Sequence, residues 1–228
     1  MPPSPWQGIQ RLLAVRLDNI GDMVMLTPAL RGLRQALPGA RITLMASPAG
    51  GQVAPLLPWV DDVLVHRAVW QDASGNMPLD PAGQQSLVEE LRARRFGAAA
   101  IFTSFSQSPY PPAYVCYLAG VPVRVGQSHE FGGSVLSHWV RPLPHEVHQV
   151  DRNLHLLEAT GLPVTERHLE LRIPEDIQAR ADGLLRAGGI NPQRPFVLLA
   201  PGASCAARRY DMARFAAVAC LLWEATGL

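Results

Sequence analysis

Cysteine is scarce in this chain. The three present, Cys116, Cys205 and Cys220, have neither the even count of a disulfide framework nor the spacing of a metal site, a pattern that fits a reducing cytoplasm. Net charge is nearly absent as well. Twenty Lys and Arg against nineteen Asp and Glu leave +1, so the chain lacks the general basic field that nucleic-acid binders present to phosphate backbones. The opening MPPSPWQGIQ has neither the basic start nor the apolar core of a signal peptide. The longest apolar run towards the other end, Phe215 to Trp223, is too short to span a bilayer. A soluble protein with at most peripheral contact with a membrane surface is expected. What is abundant points the same way: 48% hydrophobic residues with 21 Pro and 19 Gly describe a compact chain punctuated by loops. Its 228 residues suffice for one large domain, or for one domain and part of another.

The stretch Arg11 to Leu37 sets the pattern. An aliphatic run, Leu12 to Leu17, reads as a strand. It passes through the polar loop Asp18-Asn19-Ile20-Gly21-Asp22 into residues at helical spacing, with Leu26, Leu30, Leu33 and Leu37 on one face. Arg31, Arg34 and Gln35 fall on the other. Two helix starts are open: Asp22 as N-cap, which leaves Pro28 inside the helix, or Thr27 as N-cap with Pro28 at the first helical position. A loose turn from Gly21 to Leu26 followed by the main helix avoids the proline cost. In either case the loop lies at the carboxyl end of a first parallel strand, where open α/β sheets place ligands. Asp22 is then an acidic group in the right place for chemistry.

Further strands are predicted at Ala40 to Ala46, Asp62 to His66, Ala98 to Thr103 and Val121 to Val125. A Pro-broken helical stretch separates the second from the third, and helices over Gln84 to Arg95 and Tyr114 to Leu118 flank the fourth. Strands alternating with helices imply a doubly wound parallel sheet with right-handed crossovers. Gln127 to Ser134 is a polar loop, and His148 to Thr160 resumes helical spacing until Gly161 stops it. The first domain is expected to span residues 1–161. Leu162 to Ile173 reads as a connector with little core, followed by a helix over Pro174 to Ala187. Phe196 to Ala200 then restarts the opening pattern: apolar strand, small-residue loop, helix from about Asp211. One strand and one helix cannot bury a core of their own, so residues 162–228 are expected to be a connector and the start of an incomplete second α/β domain.

Four stretches carry a resemblance. LLAVRLDNIGDMVMLTPALRGLRQALPGARITLM, LAGVPVRVG, HEVHQVDRNLHLLEATGLP and VLLAPGASCAARRYDMARFAAVA are similar to segments of glycosyltransferase family 9, the lipopolysaccharide heptosyltransferases and their relatives. The resemblance implies a GT-B architecture of two Rossmann-like doubly wound domains, the second truncated here. It also implies an inverting, metal-independent sugar transfer, without a cofactor, from a nucleotide sugar, ADP-heptose being the family's best-known donor. The acceptor would be a lipid-linked glycan of the lipopolysaccharide core or similar, met in the cytoplasm or at the inner face of its membrane.

Residue by residue, Asp22 corresponds to the family's general base, which takes the proton of the attacking hydroxyl. Gly202, Ala203 and Ser204 correspond to a diphosphate cradle, with Arg208 where the family commonly has a Lys. An Arg there presents a planar fork rather than a point charge, and Tyr210 replaces a Trp. Asp18 and Asn19 are candidates to orient the acceptor, or ordinary turn residues. Arg124 fits an acceptor-phosphate anchor, or a solvated charge at a strand end. The family's remaining donor-binding segments have no counterpart in these 228 residues, which leaves a non-catalytic glycan- or partner-binding module as the alternative.

Other motifs are set aside on chemistry. His145-Glu146-Val147-His148 lacks the two-residue spacing that puts zinc-binding histidines on one helix face, and no metal is expected. Arg92, Arg94 and Arg95 complement a helix C-terminus. A dinucleotide-dependent oxidoreductase is disfavoured, because the first loop has one Gly where its fingerprint needs three.

Overall fold

The computed structural model describes residues 4–72, 74–203 and 206–227. The chain forms two compact units, Met1–Arg172 and Ile173–Leu228. In the first, six parallel strands are β1 (Arg11–Arg16), β2 (Arg41–Ala46), β3 (Asp62–Val65), β4 (Ala98–Ile101), β5 (Val123–Gln127) and β6 (His138–Val140), in the order β3-β2-β1-β4-β5-β6. The helices are α1 (Ile20–Val24), α2 (Thr27–Ala36), α3 (Pro81–Arg94), α4 (Tyr110–Leu118) and α5 (Gln149–Glu158).

The period-two alternation of a strand explains the layering. Leu12 and Ala14 enter one core with Leu30, Leu33, Leu154 and Leu157 of α2 and α5. Leu13 and Val15 enter the other with Leu87 and Leu91 of α3 and Ala113 and Cys116 of α4. A strand buried on both faces must be apolar at every position, which is why β1 reads as a continuous run. Arg16 breaks that run. By alternation it faces the α2 and α5 side, and it is fully buried.

Between α1 and α2 the helix breaks where Pro28 has no N–H to give. The Val24 carbonyl instead accepts from Thr27 Oγ1 at 2.8 Å, and the Met25 carbonyl from Asn153 Nδ2 of α5 at 3.0 Å. Thr27 is the first residue of α2 rather than its cap, and the short turn before it is a helix, α1.

Four expectations are corrected. β6 had no signal of its own, being three residues long and paired only with β5. Arg31 is buried on α2, not on a polar face. Its guanidinium reaches Glu170 at 2.8 Å, Glu166 at 3.1 Å and the His168 carbonyl at 3.0 Å. Those partners belong to the expected connector, which is not coreless. Leu162 and Val164 are buried, Thr27 Oγ1 accepts from Glu170 N–H, and Arg172 N–H donates to the Leu56 carbonyl. Finally, Phe196 to Ala200 forms no strand. Among the described residues of the second unit no other strand offers it a ladder, and unpaired backbone groups are left to solvent instead.

The second unit contains α6 (Glu175–Ala187) and α7 (Met212–Thr226), with none of their described side chains buried. Asp211 caps α7, accepting from Arg214 N–H at 3.1 Å, and Gly227 closes it in the left-handed conformation (φ 70°) that favours glycine.

Candidate functional site

In the strand order 3-2-1-4-5-6 the chain runs outward in opposite directions from β1 and β4, so a crevice opens beyond their carboxyl ends. The side chains that gather there are those of Arg16, Asp18, Asp22, Ser104 and Gln107. Arg16 Nη2 donates to Ser104 Oγ beyond β4 and to Asp22 Oδ1 on α1, each at 3.0 Å, and Nε lies 2.8 Å from Asp18 Oδ2. This last contact is an ion pair without hydrogen-bond alignment, since neither atom has a directional partner. One buried guanidinium thus spans the switch point and holds two carboxylates.

The two carboxylates differ. Asp18 has an 8% exposed side chain, and burial pushes its carboxyl above the usual aspartate range, against the opposing pull of Arg16 and a hydrogen bond from Gln107 Nε2. Asp22 has a 25% exposed side chain, and only Oδ1 is engaged. Among the described residues Oδ2 accepts no hydrogen bond, so Asp22 offers an accessible oxygen while Asp18 is committed to the interior.

Gln107 divides the crevice. Its Nε2 donates to Asp18 Oδ1 and to Gln71 Oε1 (3.1 Å), and its Oε1 accepts from Ser104 N–H. On the β2 and β3 side lies a cavity of about 410 Å³ walled by Asp18, Asn19, Ser47, Arg67, Gln71 and Gln107 among others. On the β5 side lies a second, of about 180 Å³, lined by Ser104, Ser106, Gln127, Ser128 and Arg152 among others. Amide, hydroxyl and carboxylate groups in the larger cavity suit a polyhydroxylated ligand. Asn19 lies at its edge, exposed, and makes no side-chain cap. Asp22 lies outside both walls and joins the crevice through Arg16.

Ser47 fixes the loop that carries these acids. Its Oγ donates to the Asp18 carbonyl and accepts from Gly50 N–H at 2.9 Å. A Cβ on Gly50 would stand 3.2 Å from the Asp18 carbonyl oxygen and 2.9 Å from Met23 Cε, so the close approach of the two loops needs glycine here.

Arg124 is not part of the site. It sits near the amino end of β5, 8% exposed, and its guanidinium donates to the carbonyls of Val121, Pro122, Ser134 and Val135 while lying 5.3 Å from the Tyr117 ring centroid. Four N–H groups are already spent on backbone, which leaves no fork for a phosphate. The arginine that reaches the crevice is Arg152 of α5, hidden in the sequence inside an amphipathic helix pattern. Arg16 was equally hidden within a strand.

In the second unit Gly202 and Ala203 lie in an irregular segment and Arg208 in a 3-10 turn, Ala206–Arg208; Ser204 lies outside the described residues. Arg209 Nε donates to the Ala203 carbonyl at 2.8 Å. Among the described residues no three His, Cys, Asp or Glu side chains converge to hold a metal ion, and no helix is long and apolar enough to cross a membrane. His145 packs its ring against His129 and Phe105.

A parallel sheet with a carboxylate-bearing loop at its switch point is common to many enzymes, so the fold alone does not decide the family. The sequence does: the family model described as glycosyltransferase family 9 (heptosyltransferase) matches residues 85–226. The chain belongs to glycosyltransferase family 9. Solved structures agree in fold. The glycosyl transferase family 9 structure from Veillonella parvula DSM 2008 superposes with a TM-score of 0.71 at 20% identity, covering 94% of this chain and 60% of that one. ADP-heptose lps heptosyltransferase II of E. coli gives 0.67 at 21%, covering 94% and 61%. E. coli heptosyltransferase WaaC with ADP gives 0.61 at 15%, covering 94% and 65%. At these identities the likeness is one of fold, the α/β architecture of GT-B heptosyltransferases. The chain spans about 60% of the length of the first two family 9 structures it matches. No curated protein sequence matches it.

Proposed function

We propose that this family 9 chain supplies the acceptor side, and the beginning of the donor side, of an inverting, metal-independent glycosyltransferase. The reaction would move a heptose from ADP-heptose to a lipopolysaccharide-core or related glycan, in the cytoplasm or at the inner face of its membrane. The observation that carries the reading is the half-free carboxylate of Asp22, anchored through one oxygen to the buried Arg16 at the switch point of the sheet.

The chemistry asks three things of that carboxylate. It must lie beside a counter-charge, and the Arg16 guanidinium stands 3.0 Å from it. It must be held still, and Arg16, anchored in turn to Ser104, does this. It must keep an open lone pair, and Oδ2 does. The acceptor hydroxyl would give its proton to Asp22 Oδ2 as its oxygen forms the new bond to the anomeric carbon. The bond from that carbon to the donor phosphate breaks on the opposite face, and the nucleoside diphosphate leaves with the electron pair. Gly202 to Ser204 and Arg208 are the residues proposed to meet that growing negative charge. Asn19, at the edge of the larger cavity, would orient the acceptor there, and Asp18 would contribute to that wall through the Gln107 amide it holds rather than by a free oxygen.

The alternative, a glycan- or partner-binding module without transfer, is favoured by one observation: Phe196 to Ala200 stands outside any sheet, so the donor half as described has no layer to hold a nucleotide. Labelled ADP-heptose offered with a heptose-deficient lipid acceptor separates the two. Transfer by the chain that falls at least about a hundredfold in Asp22→Asn, with folding unchanged, supports the base. Transfer unaffected by that change removes it, and acceptor binding without any transfer selects the module.

A further inference from the structure

A third cavity has no part in the proposed reaction, and three aromatic rings stand in its wall. Tyr110 of α4, Phe131 of the loop after β5 and Trp139 of β6 line it together with His129, Glu130 and two glycines, around a volume of about 390 Å³. That lies within the ~300–1,000 Å³ of small-molecule sites. The cavity shares only His129 and Glu130 with the smaller cavity of the crevice. Phe131 is 98% exposed and Trp139 53%, so the rings are open to a ligand from outside.

The loop that bears these rings is fixed in place. Tyr110 Oη donates to the Glu130 carbonyl at 2.6 Å, Trp139 Nε1 to the Ser128 carbonyl at 2.8 Å, and Glu130 N–H to Ser128 Oγ at 2.9 Å. Gly132 lies against the Tyr110 ring: an added Cβ would stand 1.8 Å from Tyr110 Cε1, so the approach needs glycine. With the polar handle of each ring donated to backbone, what Tyr110 and Trp139 have left to offer a ligand is carbon and π-electron density. The charged group at the cavity is Glu130. Its Oε2 accepts from Ser108 Oγ at 3.3 Å, and among the described residues its Oε1 accepts nothing and no Arg lies within ion-pair distance of it.

This wall selects among ligand classes. A neutral sugar asks for several hydrogen-bond donors, and the rings have already given theirs away. An anion would meet the carboxylate and the negative faces of the rings, and a neutral apolar group would leave the carboxylate unused. A cation carried on carbon suits both, since positive charge is attracted to the faces of Trp, Tyr and Phe and to Glu130 alike. We infer that this cavity binds an organic ammonium group, with Tyr110, Phe131 and Trp139 around the nitrogen and Glu130 as its counter-ion. The site stands on its own residues and not on the reaction proposed above. Two carriers share that chemistry, an amino sugar and an amine-bearing lipid head group.

The test is binding by the full chain, read by calorimetry or by chemical-shift changes, with choline as the probe and 3,3-dimethylbutan-1-ol, of the same shape and without the charge, as its counterpart. Saturable binding of choline, at least about tenfold tighter than of the alcohol, is expected. Glu130→Gln keeps the size of the side chain and removes its charge, and should weaken choline about fivefold or more while leaving the alcohol unchanged. Phe131→Leu, at a position too exposed to matter for folding, should weaken choline by about threefold. Glucosamine against glucose, and vesicles of phosphatidylethanolamine with phosphatidylglycerol against phosphatidylglycerol alone, then identify the carrier: a preference for the amine in the first pair assigns an amino sugar, in the second a head group. Choline bound no tighter than the alcohol, no saturable binding of choline, or choline bound by folded Glu130→Gln and Phe131→Leu as by the parent, would each overturn the inference. Since the readout is binding, loss of transfer on changing Asp22 bears on the base and not on this site.

Discussion

Replacing Arg16 with methionine tests whether one guanidinium really organises the crevice. The residue is fully buried, and its two acids are unequally placed, with side chains 8% exposed for Asp18 and 25% for Asp22. Removing one partner of a buried pair leaves an uncompensated charge and costs about 3–5 kcal/mol, and Asp18 carries most of that. The Asp22 pair is nearer the solvent, and its share is closer to the ~0–1 kcal/mol of exposed pairs. A loss of about 3–5 kcal/mol is therefore expected, a large part of the ~5–15 kcal/mol that holds a domain folded. Arg16→Met combined with Asp18→Asn should recover about 1–3 kcal/mol, because the stranded carboxylate is gone. Urea unfolding of the full chain, followed by circular dichroism, measures both. A single variant within about 1 kcal/mol of the parent, or a double variant no better than the sum of its parts, would refute the reasoning.

Burial holds the Asp18 carboxyl above its ordinary 3.8, so the folded chain keeps that proton more tightly than the unfolded chain, and this group's contribution to stability falls as pH rises from 3.8 through the higher folded value. Asp18→Asn lacks this fall, and its stability relative to the parent should improve across that window and level off above it. A pH series of urea midpoints showing a constant gap, or one moving the other way, contradicts the burial argument. Gly32→Ala should detach the connector, because its Cβ would stand 2.7 Å from Cγ2 of the buried Val164. A loss of about 1–3 kcal/mol and faster proteolysis between Leu162 and Arg172 are expected, and unchanged cleavage would show that the contact yields. Arg124→Gln strands four carbonyls and should cost about 2–4 kcal/mol while leaving sugar affinity unchanged; a selective loss of affinity would return Arg124 to the binding site.

What the sequence revealed was whatever is encoded locally. The central strands are legible because a strand covered on both faces is apolar almost throughout, as in Leu12 to Leu17, broken only by Arg16, and Ala98 to Thr103, while the edge strand β3 shows itself by its Val-Leu-Val run. The turn at Pro28 is legible from the missing N–H. What stayed hidden depends on partners. β6 exists only because β5 offers an edge, and Phe196 to Ala200 has the composition of a strand without a neighbour to pair with. Arg31 looks like a surface residue of an amphipathic helix until Glu166 and Glu170 fold back over it. The arginines show this most plainly: Arg124 stands out in Val-Arg-Val-Gly and is absorbed by carbonyls, whereas Arg16 and Arg152, inconspicuous in their runs, occupy the crevice.

The position of β1 in the middle of the sheet also bears on how the protein is made. β2 follows within a few tens of residues, but the opposite edge of β1 must wait for Ala98–Ile101 to leave the ribosome before it is covered. At about 5–20 residues per second, that is several seconds in which an aliphatic strand shows a bare hydrogen-bonding edge. Parallel ladders closed over such long chain separations assemble slowly, and an uncovered strand edge is an invitation to pair with another nascent chain. A chaperone that shelters the first hundred or so residues during synthesis should therefore raise the yield of this protein more than one that acts after release.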